Sequence, residues 1–90
     1  MYSLSFFENG KRTGGFSIKD RDEAIGTMVS CVERYAHKDG FYIDERVKDV
    51  YTVQDLSPVA KVIKLTGPID NELKNKLTQG CSALLEKWLA

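Results

Sequence analysis

Residues 2–23 read YSLSFFENGKRTGGFSIKDRDE, and this run decides the fold. Tyr2, Leu4 and Phe6 alternate with Ser3, Ser5 and Phe7, the period of a strand with one buried face. Asn9-Gly10 follows, the strongest short hairpin signal, because a type I′ turn needs positive φ at both central residues. The second strand is predicted over Lys11 to Ile18. The turn pairs Glu8 with Lys11 and Phe7 with Arg12. Continued without interruption, that ladder sets Phe16 opposite Ser3 and turns Phe16 and Ile18 away from the core. One extra residue in the second strand repairs the register: Phe16 then faces Leu4, Ile18 faces Tyr2, and both are expected to be buried. Gly14-Gly15 is the predicted site of this β-bulge, since glycine takes unusual backbone angles at low cost.

Outward from the hairpin, Asp20 to Glu23 has the D-x-x-E spacing of a capping-box analogue with Asp20 as N-cap. The helix predicted over 20–38 carries Ile25, Met28, Val29, Val32 and Ala36 at helical spacing, with Tyr35 flanking the stripe. His37 and Lys38 suit its last turn, and Gly40 stops it. Gly26 and Ser30, one turn apart, are the expected spot of close approach. The middle of the chain is rich in strand formers: Phe41 to Asp44, then Val47 to Val53, then Ala60 to Leu65 after a break at Ser57-Pro58. The charged run Asp44, Glu45, Arg46, Lys48 and Asp49 is expected to be a solvated hairpin end. Asp70 caps a second helix whose stripe is the clearest pattern in the chain: Leu73, Leu77, Cys81, Leu84, Leu85, Trp88 and Leu89. Gly80 lies inside that helix at a cost of about 1 kcal/mol relative to alanine, so it calls for a packing reason. Leu77, Leu84, Val29 and Val32 are expected at the centre of the core.

The expected fold class is therefore α+β: a mainly antiparallel sheet of four to five strands, in the order ββα-ββ(β)-α, with two helices packed on one face. The 90 residues suit a single domain, 1–90, and leave no room for a second core. The order also hints at a duplicated hairpin-plus-helix unit, without a repeat at the level of residues.

Thirteen basic residues balance thirteen acidic ones. That weighs against a dedicated duplex-DNA or RNA binder, which usually carries a basic excess, and leaves room for a local basic patch. Zero net charge also leaves little self-repulsion, so a homodimer is a further expectation. Cys31 and Cys81 form no CxxC pair and are read as reduced thiols in or beside the core. Met1 to Phe7 lacks a basic n-region, and no apolar run approaches the ~20 residues of a membrane span, so the cytoplasm of a cell or infected host is expected.

No catalytic constellation is legible. His37 is the single histidine and reads as a helix-end residue; no CxxC or HxxxH offers a zinc site. Gly14-Gly15 lacks the phosphate-loop spacing and opens onto Phe16-Ser17-Ile18 rather than a helix. The expectation is a protein that is not an enzyme and takes no cofactor or metal. Phe7 and Tyr42 point away from the apolar faces of their strands, and Arg12 is the cross-strand partner of Phe7, a candidate cation–π pair. Aromatics with arginine are what binding hot spots are made of. The candidate partner-binding set is Phe7, Lys11, Arg12, Tyr42 and Arg46.

The run Asn9-Gly10-Lys11-Arg12, Gly15-Phe16-Ser17-Ile18 and Glu23-Ala24 resembles the corresponding run in arm-type DNA-binding domains of tyrosine recombinases. The resemblance implies a small antiparallel sheet that precedes one helix and enters the major groove. Those domains are basic and have a third strand before the helix; this chain is neutral and has a single hairpin there. The expected function is a small stand-alone protein-binding module, a regulator or inhibitor of a larger protein or complex. A phage-type inhibitor of a host defence complex, such as an anti-CRISPR, is the kind of protein this size suits. The alternative is a nucleic-acid-binding module using the first hairpin through Lys11, Arg12 and Phe7.

Overall fold

The chain runs β1 (Tyr2–Glu8), β2 (Lys11–Ile18), α1 (Arg21–Tyr35), β3 (Phe41–Asp44), β4 (Val50–Asp55), β5 (Lys61–Thr66) and α2 (Asn71–Leu89). The computed structural model describes residues 1–35, 40–56 and 61–89. The expected roles of Ala36, His37, Lys38 and Ser57-Pro58 lie outside the described residues. The five strands form one sheet in the order β2-β1-β5-β4-β3, and every neighbouring pair is antiparallel. Both helices pack on one face, so the α+β architecture is the one expected.

Alternation sorts the side chains onto two faces. Leu4, Leu65 and Tyr51 form one transverse row under the helices, and Phe6, Ile63, Val53 and Ile43 form the next. Ala24, Met28 and Val32 descend onto this layer from α1, and Leu73, Leu77, Cys81 and Leu84 from α2, all fully or almost fully buried. Val29, expected at the centre, is half-buried and packs against the core from the helix–helix seam.

Each helix start is built as the sequence predicts. Asp20 accepts from the Glu23 amide at 3.1 Å, and Asp70 accepts from the Leu73 amide at 2.8 Å. Arg21 also clamps the Asp70 carboxylate with both guanidinium nitrogens, at 2.9 and 3.2 Å, which ties the two helix starts together. At the other end Lys87 lies 3.6 Å from Glu33, so the helices run parallel. The hint of duplication is visible in the topology. β1-β2-α1 and β4-β5-α2 are the same hairpin-plus-helix unit displaced by two strand positions, and β3 is added at the edge.

Gly80 has the packing reason it needed. A Cβ there would lie 2.6 Å from Val29 Cγ2, so glycine lets the helices approach at this point. The predicted close approach at Gly26 and Ser30 is not found: nothing lies within 4 Å of where a Gly26 Cβ would stand. Tyr51 reaches up from the sheet to Thr78 at 2.8 Å; Thr78 in turn donates to Glu45, which leaves the buried phenol as the donor to Thr78. Burial pushes the Tyr51 phenol well above its ordinary range and the Cys81 thiol up to about 11. Both cysteines are free thiols, as expected.

Candidate protein-docking site

The hairpin at Asn9-Gly10 forms with φ of 51° and 83°, the positive pair a type I′ turn requires. The register is Phe7 with Arg12, Phe6 with Gly14, Leu4 with Phe16 and Tyr2 with Ile18. One extra residue is therefore present, and it restores Phe16 and Ile18 to the helix side. It is Thr13, one position before the glycine pair, and its hydroxyl donates to the Phe6 carbonyl at 3.4 Å. Gly14 and Gly15 do not have positive φ. Gly15 serves a different need: a Cβ there would stand 2.5 Å from both the Leu4 carbonyl and the Arg12 guanidinium.

The expected burial of Phe16 is overturned: 47% of it is exposed, whereas Ile18 is buried. The sheet order explains this. β1 pairs with β5 on its other side, which leaves β2 at the edge. α1 lies across β5, β1 and β2, but the residues it turns toward Phe16 include Gly26 and Ser30, which are too small to cover a phenylalanine. The result is a groove of about 530 Å³ between β2 and α1, floored by Phe6 and Phe16 and walled by Thr27, Cys31 and Tyr35. Phe6 contacts Phe16 at 6.3 Å and Tyr35 at 5.4 Å between ring centroids, both tilted. Tyr35 is itself 44% exposed. Arg34 and Glu23 also line the groove. Burial raises the Cys31 thiol somewhat, against a lowering by Arg34.

The residues singled out from the sequence lie mostly elsewhere. Arg12, Phe7, Val62, Gln54 and Tyr42 form a row across all five strands on the open face. Phe7 and Tyr42 are three strands apart in it, about 14 Å. The cation over Phe7 is Lys64, with its ammonium 5.3 Å from the ring centroid, while Arg12 lies over Gly15 instead of stacking on Phe7. Tyr42 is 49% exposed and donates its hydroxyl proton to Gln54 Oε1. Lys11 shares the opposite face with its partner Glu8. Arg46 is held by Asp44 at 2.8 and 3.0 Å, and this pairing lowers the Asp44 carboxyl to about 2. The structure thus brings Phe7, Arg12 and Tyr42 onto one face and leaves Lys11 and Arg46 out of the row.

Comparison with known protein families, curated proteins and solved structures finds no match. The site is read from its own chemistry. Among the described residues no group of histidine, cysteine and carboxylate side chains converges as a metal set, and no helix is long and apolar enough to cross a membrane. What the surface does offer is a cluster of contacting aromatics beside a strand edge. The sequence marks each of these residues as apolar or flanking but gives no sign that they meet; the small residues Gly26 and Ser30 were the available hint.

Proposed function

We propose that the chain is a protein-binding module, a small regulator or inhibitor that docks on a larger protein through the β2–α1 groove. One observation carries this reading: Phe6 contacts both Phe16 and Tyr35 on the core side of the sheet, yet Phe16 and Tyr35 remain nearly half exposed. Single exposed aromatics are ordinary, but a contacting set that lines a concave surface has the composition and shape of a binding hot spot. The test is a photocrosslinker, p-benzoylphenylalanine, placed at position 16, at position 42 and at position 72 on the exposed side of α2. Irradiation in extract of the expressing cell should give a discrete polypeptide adduct from position 16 and none from position 72. Adducts from position 42 alone would move the docking site to the open face.

A second reading has its own observation. On the open face Arg12 and Lys64 flank Phe7 among the hydroxyls of Ser3, Ser5, Thr52 and Thr66, and the carboxylate of Asp44 there is already paired with Arg46. Such a face suits a single-stranded nucleic acid, with a base stacked on Phe7. Binding to oligonucleotides that falls steeply with salt and is lost in Arg12→Ala/Lys64→Ala would favour it over the first.

A further inference from the structure

The edge strand itself says what kind of segment the groove receives. β2 has a neighbour on one side only, so the outward N–H and C=O groups of its other side have no strand to pair with among the described residues. Natural edges are guarded by charge, proline or bulges. Here the guards stand at the two ends: Lys11, Arg12 and the Thr13 bulge at one, Lys19 at the other. Between them Gly14 to Ile18 is regularly laddered against β1 and uncharged, and its glycines let another backbone come close.

We propose that β2 takes up an extended peptide segment as a sixth strand, and that this segment alternates acidic and apolar residues. The proposal rests on the groove being the docking site and specifies its occupant. An added strand must send alternate side chains to opposite faces. Side chains on the helix side enter the groove beside Phe16 and Phe6, where a large apolar residue fits. Their neighbours emerge on the open face beside Gly15 and Ser17, where the Arg12 guanidinium already lies over Gly15. The stretch from Lys11 to Lys19 holds three basic side chains and no acidic one, and Arg34 adds a fourth at the groove wall. Carboxylates also stand nearby: Glu23 within the groove, Asp20 beside Lys19, where it caps α1 by accepting from the Glu23 amide, Asp22 in the first turn of α1, and Glu8, which faces Lys11 and Lys61 across its two ladders. The local charge therefore selects an acidic segment and disfavours a second copy of this strand, which would bring basic ends toward basic ends.

The experiment uses the intact protein and synthetic peptides. Fluorescence anisotropy is measured with the capped peptide GEVEFEVEG, its scrambled form, and the charge-reversed GKVKFKVKG. Two further versions are N-methylated at either the acidic or the apolar positions, each of which blocks one hydrogen-bonding edge. Expected is saturable binding of the alternating peptide, with Phe16→Ser and Arg12→Glu/Lys19→Glu each weakening it roughly tenfold or more, as loss of an anchor does. One methylated version should bind and the other fail, because only one edge faces β2. Equal binding of both versions overturns strand addition while leaving the groove as the docking site. Failure of every peptide, together with an adduct from position 16, likewise overturns it and leaves the module reading standing. Preferential binding of the lysine peptide, or a dimer in sedimentation that Phe16→Ser dissolves, overturns the choice of occupant. Salt-sensitive binding of oligonucleotides that Phe16→Ser abolishes overturns both readings.

Discussion

Replacing Gly80 by alanine sets two terms against each other. In a solvent-facing helix the change would stabilise by about 1 kcal/mol through helix propensity. At this position the new Cβ would meet Val29 Cγ2 at 2.6 Å, well inside contact distance, with Val29 Cβ and Cγ1 at 3.7 Å. The neighbour cannot swing away cheaply: valine is branched at Cβ and holds essentially one rotamer in a helix. Overpacking of this kind typically costs about 1–3 kcal/mol. The net expectation is a loss of about 1 kcal/mol, or roughly 4–8 °C in Tm for a domain of this size. Urea unfolding of wild type, Gly80→Ala, Val29→Ala and the double variant measures it directly. Val29→Ala alone loses part of a half-buried side chain. In the double variant the methyl group that clashes is gone, so alanine at 80 should become neutral or stabilising, with a coupling of at least 1 kcal/mol between the sites. If Gly80→Ala by itself stabilises by about 1 kcal/mol, the helices do not meet at this point, and the close approach of Gly80 to Val29 fails as the reason for a glycine here.

Leu77→Ala and Leu84→Ala should each cost about 2–5 kcal/mol in the same assay, because both leucines are buried; a loss below about 1 kcal/mol would show that the α2 stripe is not core. The Arg21 clamp and the Leu73 amide hold the Asp70 carboxyl below its ordinary value, so the stability it contributes is fully present above about pH 4 and is lost as pH falls through the folded-state value. Arg21→Ala should therefore lower stability near neutral pH by an amount that shrinks as Asp70 protonates; a difference independent of pH would assign the effect to something other than this pair. With a thiol reagent at pH 8, Cys31 should label readily in the native protein, whereas Cys81, buried and shifted up to about 11, should label only as fast as the chain opens. Equal rates would contradict its burial.

Much of this molecule was determined by its sequence, because the deciding interactions are local. The Asn9-Gly10 turn, the Asp20 and Asp70 caps and the α2 stripe each follow from residues within a turn or two of one another, and so does the need for one extra residue in β2. Even there, the bulge settled on Thr13 rather than on the glycines, since what constrains Gly15 is the Leu4 carbonyl of the neighbouring strand and the Arg12 side chain. The faces of the strands were legible as well, which is why Phe7, Arg12 and Tyr42 fall on one side. The exposure of Phe16 was not legible. Alternation says which way a side chain points; it does not say whether anything lies above it. That depends on β1 pairing with β5, more than fifty positions further along the chain, which leaves β2 at the edge, and on α1 turning its small residues Gly26 and Ser30 toward Phe16. The candidate site is a product of those two long-range choices: Gly26 and Ser30 hint at the second, and no local pattern in the chain encodes the first.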